Sequence, residues 1–157
     1  MMEWSNQVRS FIEAANASKV RMIMVGGGAV NWHGYKRQSA DVDFWLERSV
    51  ANLEALTSTL NALGFEFGEI PKSVKEGEQN ISLKFSPVDL DVELITQFSV
   101  NRTFDEAYAD SHIVQGQGSE NYYWRVLSYE DLVISKVKAG RPKDLLDIQE
   151  LKRLRKE

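Results

Sequence analysis

Carboxylates are the residues of this 157-residue sequence whose spacing most directly suggests chemistry. Asp41 and Asp43 lie two apart in a stretch that alternates polar and apolar residues, as a half-buried strand does, so both side chains project from one face. Adjacent carboxylates repel, which raises the pKa of one of them unless a divalent cation lets both stay ionised. The pair is a candidate metal site, although a solvated strand end is the commoner explanation of this spacing alone.

A second predicted strand carries Asp89, Asp91 and Glu93 on one face. If the two acidic strands are neighbours, five carboxylates converge and supply oxygen ligands for one or two Mg²⁺ ions in a phosphoryl-transfer site. The sequence has no cysteine and two histidines, so any metal is expected on oxygen. The alternative is an exposed acidic strand that discourages aggregation.

Three consecutive glycines, Gly26, Gly27 and Gly28, stand between a predicted buried strand and a short predicted helix. Glycines let the backbone approach a ligand, and a helix N-terminus offers unpaired N–H groups to a phosphate. The alternative is a tight turn without a ligand. The run matches neither the dinucleotide-binding fingerprint nor a Walker loop.

Two cations are candidates for contact with phosphate or with the carboxylates. Lys136 follows Leu132 and Val133 on the core-facing side of a predicted helix, so its ammonium would be desolvated unless it meets an anion. A lysine that extends to water is the alternative.

Arg37 is the second candidate: its guanidinium could bind a phosphate or the acidic cluster, and the alternative is a surface arginine. His33 is expected to be a capping or core histidine.

Hydrophobic periodicity and capping residues predict the elements that position these side chains. Gly34 and Gly64 are expected to end two of the helices, while Ser49 and Ser128 are expected to begin two others. Residues 71–80 are expected to form a loop, and 81–85 with 88–95 a hairpin. Helices are predicted from residue 8 to 18, over 29–33, 49–64 and 103–109, and from 128 and 142 onward; strands are predicted over 20–25, 41–46, 65–67, 81–85, 88–95 and 122–127.

The order of these elements predicts an α/β (α+β) domain with a mixed sheet and flanking helices. We expect a single domain over residues 1–157, with a core over 1–127 and a C-terminal helical pair over 128–157. The net charge is −4, yet residues 136–157 hold eight Lys/Arg and four Asp/Glu, a balance of +4 that leaves −8 elsewhere. This counts against a protein that coats nucleic acid. With no apolar run long enough to span a bilayer and no signal sequence, the chain is expected to be cytoplasmic and not membrane-bound.

Residues 25–43 read Val-Gly-Gly-Gly-Ala-Val-Asn-Trp-His-Gly-Tyr-Lys-Arg-Gln-Ser-Ala-Asp-Val-Asp. This run resembles the signature of the DNA polymerase beta-like nucleotidyltransferase superfamily, in which a strand, a glycine turn and a short helix precede an Asp-x-Asp strand. Its His-Gly, its arginine and the serine before the first aspartate resemble the minimal, abortive-infection (AbiEii-like) toxin branch. The stretches 127–136 and 139–148 are also similar to that branch.

The resemblance implies a nucleotidyltransferase fold and a role for each matching residue. Asp41, Asp43 and Asp91 would be catalytic and would bind Mg²⁺ or Mn²⁺, with Asp89 or Glu93 as alternatives for the third carboxylate. The residues that the resemblance places around the nucleotide are Gly26 and Gly27, which would form the turn over the triphosphate, and Arg37, Ser39, Lys136, Arg141, Lys143 and Asp144.

The implied activity is the transfer of a nucleoside monophosphate from a nucleoside triphosphate to an acceptor hydroxyl, with release of pyrophosphate. The acceptor would be RNA, such as a tRNA end, or a protein, and the chain would belong to a toxin–antitoxin pair with a cognate partner. One alternative is a catalytically weak or inactive nucleotide-binding module that regulates a partner protein. Another is an RNA-binding module led by the basic C-terminal segment, which the acidic remainder of the chain disfavours.

Overall fold

A computed structural model of the protein describes residues 6–37, 41–65, 68–84 and 91–156. These residues form an α+β fold in which helices flank a mixed sheet, as the sequence predicts. The helices are α1 (Asn6–Ala17), α2 (Gly26–Trp32), α3 (Val50–Ala62), α4 (Lys72–Lys75), α5 (Phe104–Asp110), α6 (Tyr129–Ala139) and α7 (Pro142–Arg155). The strands are β1 (Met22–Val25), β2 (Asp41–Leu46), β3 (Ile81–Leu83), β4 (Asp91–Ile95), β5 (His112–Gln115) and β6 (Tyr123–Val126).

The described strands form one sheet in the order β3-β4-β2-β1-β6-β5. β1 pairs antiparallel with β2 and parallel with β6, while β2 pairs parallel with β4. β3 is antiparallel to β4, so the predicted pairing of these two strands is confirmed, and β5 is antiparallel to β6. The order places both acidic strands, β2 and β4, side by side in the interior of the sheet.

Helix positions follow from buried stripes and from caps. α1 buries Val8, Phe11, Ile12 and Ala15, the spacing expected of an amphipathic helix. The Ser128 hydroxyl accepts a hydrogen bond from the first turn of α6, and Ser49 does the same for α3, which confirms both predicted caps. None of the described helices is long and apolar enough to cross a membrane.

The second helix begins earlier than predicted. Because glycine is a poor helix former, the sequence predicts a turn over residues 26–28 and a helix from 29, but α2 starts at Gly26. Gly28 is accommodated in the helix for a packing reason: a Cβ at this residue would lie 2.9 Å from the Met24 sulfur, which is closer than side-chain atoms normally approach. The absence of a side chain lets α2 pack directly against β1.

Three other predictions differ from the structure or cannot be compared with it. The predicted loop over 71–80 contains α4, in which Val74 is buried and anchors the turn to the core. The sequence analysis missed β5, whose residues are mostly exposed and so lack the burial alternation of a half-buried strand. Phe65 lies outside any strand, and the rest of the predicted strand over 65–67 lies outside the described residues, as do residues 85–90 of the predicted hairpin.

Candidate active site

The register of β2 and β4 brings the predicted carboxylates together. Asp41 pairs with Asp91, and Asp43 pairs with Glu93. Paired residues of neighbouring strands lie about 4.8 Å apart across the sheet and project from the same face. The alternate residues of both strands are buried on the other face, so these four half-buried carboxylates share one surface, which we call the acidic face. Asp89 and Ser39 lie outside the described residues.

Gly26 lies directly against this acidic face. Val25, the last residue of β1, pairs with Asp43, so the first turn of α2 begins beside the Asp43 carboxylate. A Cβ on Gly26 would lie 2.5 Å from Asp43 Oδ2, and the residue has φ +62°, in the left-handed region that glycine adopts most easily. Only glycine therefore satisfies both the backbone and the close approach of the carboxylate.

The ionised form of the Asp43 carboxyl is destabilised in this position. Its pKa is raised to about 6, first by burial and then by the charges of Asp41 and Glu93. Lys136 and Lys143 oppose the rise, so both cations act on the acidic face. The uncompensated negative charge is what a bound cation would neutralise.

The ligand atoms of the acidic face suit a hard divalent cation, because every candidate ligand is a carboxylate oxygen. The positions of these oxygens, in contrast, do not form a closed coordination shell. Among the described residues, no group of three or more Asp, Glu or His side chains is arranged to hold a metal ion. A closed coordination shell would therefore need inward rotation of these carboxylates or oxygens from a phosphate ligand.

A buried ion-pair network adjoins this face. Lys136 is 6% exposed, and its Nζ lies 3.0 Å from Asp147 Oδ2 and 3.3 Å from Asp144 Oδ1. Both aspartates are fully buried. The sequence predicts that the buried Lys136 ammonium needs an anion, and these two carboxylates supply it.

Two arginines complete the network. Arg37 binds Asp147 through two parallel hydrogen bonds, with Nε to Oδ1 at 2.8 Å and Nη2 to Oδ2 at 2.9 Å. Arg141 Nε donates to Asp144 Oδ2 at 2.6 Å, and its backbone N–H donates to the same oxygen at the start of α7. Burial would raise the pKa of Asp144, but the hydrogen bonds from Arg141 and the charge of Lys136 hold it below its ordinary value. We call Arg37, Lys136, Arg141, Asp144 and Asp147 the α7 network.

A family comparison decides the general class of this arrangement. Residues 5–156 match the family described as "Nucleotidyltransferase of unknown function (DUF6036)". The chain belongs to this nucleotidyltransferase family. No curated protein matches the chain.

Membership confirms the nucleotidyltransferase assignment to which the glycine turn and the Asp-x-Asp strand point. The family description does not name the abortive-infection branch. Of the residues expected around a nucleotide, Arg37, Lys136, Arg141 and Asp144 are joined in one network, whereas Lys143 is exposed beside it.

Asp147 is the residue that the sequence analysis missed. It lies three residues after Asp144 and four before the buried Leu151, so all three share one face of α7. A second aspartate on the buried stripe of a helix is a usable signal, since a buried carboxylate requires cationic partners. His33, in contrast, has the expected capping or core role: it ends α2, and its Nε2 lies 2.7 Å from the Leu127 carbonyl oxygen.

The raised pKa of Asp43 predicts a pH-dependent stability. Because the pKa in the folded chain, about 6, exceeds the ordinary 3.8, protonation stabilises the folded state; this contribution is full below pH 3.8 and is lost as the pH rises through about 6. Asp43→Asn has no such proton to lose. In metal-free buffer with EDTA, its Tm minus the wild-type Tm should increase from about pH 4 to about pH 7. The exposed Glu54→Gln is the control, and a difference for Asp43→Asn that does not change with pH would contradict the assignment.

The α7 network predicts a large cost for removing one carboxylate. Asp147→Asn should lower the free energy of unfolding by about 3–5 kcal/mol, because it leaves Lys136 and Arg37 incompletely paired in a buried setting. The matched control is Glu150→Gln on the same helix, which breaks a pair with the exposed Arg153 and should cost less than about 1 kcal/mol. Urea unfolding measures both values, and equal losses would show that the network does not stabilise the fold.

Proposed function

We propose that this chain is a metal-dependent enzyme that transfers a nucleoside monophosphate from a nucleoside triphosphate to an acceptor hydroxyl. The observation that carries the proposal is the register of β2 and β4, which sets Asp41 and Asp43 beside Asp91 and Glu93 at the glycine start of α2. Four carboxylates on one face are costly to hold together without a cation. A nucleotidyltransferase can use such carboxylates to hold a divalent cation.

Asp41, Asp43 and Asp91 are the proposed ligands of Mg²⁺ or Mn²⁺. A bound metal would supply charge neutralisation at the phosphates and polarise the reacting phosphorus. Glu93 is retained as an alternative third carboxylate, because it pairs with Asp43 and contributes to the rise of the Asp43 pKa. Asp91 is preferred because it pairs with Asp41 and has the shorter, more rigid side chain.

The remaining residues of the proposed site bind and orient the nucleotide. Gly26 and Gly27 would let the backbone of α2 approach the triphosphate. The exposed Lys143 and the half-exposed Arg141 guanidinium would meet its phosphates, with Ser39 as a further proposed contact. Lys136 and Arg37 would act through the α7 network, since their charged groups are already held by Asp144 and Asp147.

The proposed step is an in-line displacement. The acceptor oxygen forms a bond to the α-phosphorus while the bond between that phosphorus and the α–β bridging oxygen breaks, so pyrophosphate leaves. The acceptor proton passes to an Asp91 carboxylate oxygen. Positioning and charge neutralisation account for most of the catalysis.

The acceptor and biological setting extend this proposal. An RNA end, such as that of tRNA, or a protein hydroxyl is the proposed acceptor, and a cognate partner in a toxin–antitoxin pair of the abortive-infection type is the proposed setting. These rest on the resemblance of residues 25–43, 127–136 and 139–148 to that branch.

A second candidate function is a nucleotide-binding regulator without turnover. It is favoured by one observation: among the described residues, no three acidic or histidine side chains are arranged to hold a metal ion. This regulator would bind a nucleoside triphosphate but would leave it intact.

Incubation with Mg²⁺ and each α-labelled nucleoside triphosphate, with and without total RNA, tests the proposal. Label should move to RNA or to protein, and Asp41→Asn or Asp43→Asn should reduce transfer on the order of a hundredfold or more, because metal charge stabilisation is worth several kcal/mol. Asp91→Asn should do the same, whereas Glu93→Gln should cost less than about tenfold. The exposed Glu54→Gln should transfer at the wild-type rate.

The outcomes separate the candidates. Nucleotide binding without transfer of label would support the regulator. A larger loss for Glu93→Gln than for Asp91→Asn would reassign the third carboxylate. Unchanged transfer in Asp41→Asn and Asp43→Asn would reject the site.

The contact between Gly26 and Asp43 provides an independent test. Gly26→Ala and Gly64→Ala both place alanine at a positive φ, but only the first meets a neighbour, since no atom lies within 4 Å of a Cβ at Gly64. Asp43 can rotate away, so both variants should lose a similar stability of about 1–2 kcal/mol. Gly26→Ala alone should lose transfer activity, and equal activities in the two variants would contradict the proposed role of this contact.

A further inference from the structure

A cavity of about 310 Å³ lies at the opposite end of β1 from the acidic face. It is bounded by the end of α1, the start of β1, the start of β6 and Tyr108 of α5. Asp43 pairs with Val25 at one end of β1, whereas this cavity meets the strand at Met22. Three residue steps along a strand span about 10 Å, so the cavity is distinct from the proposed active site.

The cavity is basic in an acidic protein. Its lining includes Lys19, Arg21 and Arg125 and, within the described residues, no carboxylate, although the chain as a whole carries −4. Arg21 is neutralised from outside the lining by two carboxylates: Asp105 Oδ1 lies 2.7 Å from Arg21 Nη2, and Glu47 Oε2 lies 3.5 Å from Arg21 Nη1. One cation of the three is therefore already paired.

The other two cations differ from Arg21 in their partners. Arg125 stacks 4.0 Å from the Tyr108 ring centroid, and its Nη1 donates to two neutral acceptors, the Tyr108 carbonyl and the Ser111 hydroxyl. Among the described residues, neither Arg125 nor Lys19 forms an ion pair. The arginine is held in place by neutral groups, which leaves its charge for a ligand.

The backbone of Lys19 is a second, independent observation. It follows the end of α1 at φ 61°, and the next N–H, that of Val20, closes the helix by donating to the Ala15 carbonyl. Glycine is the low-energy residue at this position of a helix end. Apart from Lys156 at the end of α7, no other described residue besides glycine has a positive φ. Lys19 thus keeps a charged side chain beside the cavity at a position where glycine would cost less.

We propose that this cavity binds the phosphate group of a small phosphomonoester, with Lys19 and Arg125 as the cationic contacts. A guanidinium and an ammonium together suit a phosphate dianion. The volume is at the lower end of the range for small-molecule sites, which favours a small ligand. A single-stranded nucleic acid would instead require a basic groove along several nucleotides. The proposal does not depend on the proposed transferase activity.

The test is a thermal titration of the full chain with inorganic phosphate and with ribose 5-phosphate, in EDTA and at constant ionic strength. Both ligands should give a saturable rise in Tm. Lys19→Gln should raise the dissociation constant about tenfold or more, because it removes a charge-assisted contact and keeps the strained backbone. Lys19→Arg should retain binding. Lys72→Gln, on α4, is the matched control for loss of one exposed lysine.

Two further variants make the result specific. Lys19→Gly should raise the Tm of the unliganded chain, since glycine relieves the strain, yet should lose the response to phosphate. Lys143→Gln should keep that response, and loss of it would move the binding to the proposed active site and overturn the proposal. A response that is absent in the wild type, or equal in Lys19→Gln, would also overturn it. Tighter binding of a short single-stranded RNA than of ribose 5-phosphate would reject the small-ligand assignment.

Discussion

The pairing of Asp147 with Lys136 and Arg37 is the interaction on which the candidate site depends. A buried carboxylate is costly unless cations and hydrogen bonds replace its water, and here an ammonium from α6 and a guanidinium from the segment after α2 both do so. Arg37 lies four residues before Asp41. The network therefore ties the C-terminal helices to the chain that enters β2, and the position of the acidic face becomes linked to the packing of α7.

This linkage also balances charge. The α7 network holds three cations and two carboxylates, a surplus of one positive charge, beside a face of four carboxylates. Lys136 serves both groups, since it pairs with Asp144 and Asp147 while opposing the rise of the Asp43 pKa. The network thus offsets part of the negative charge of the acidic face.

The sequence predicts those features whose signals are local. Asp41–Leu46 follows from alternation and Ser128 from capping, and each holds in the structure. The parallel pairing of β2 with β4 is a long-range contact that alternation cannot specify, so the meeting of the two acidic strands remained conditional until the sheet order was known. The partners of Lys136 are likewise not predictable from local sequence. Burial of its ammonium requires an anion, but the sequence does not indicate whether a phosphate or a carboxylate supplies it. β5 carried no burial pattern from which to predict it.

The glycine run shows how local preference and tertiary packing can conflict at a site. Three glycines disfavour a helix, yet α2 begins with them. The lack of a side chain leaves room for the Met24 sulfur beside Gly28 and for the Asp43 carboxylate beside Gly26. The helix thus gives up intrinsic stability at the place where its backbone comes closest to the acidic face. Asp43 adds a second unfavourable term there, since its ionised form is half-buried among like charges. Larger residues could not replace Gly26 or Gly28 without a clash, but a neutral residue in place of Asp43 would relieve the second term. The proposed function gives the carboxylate a reason to be kept there, as a ligand of the proposed metal.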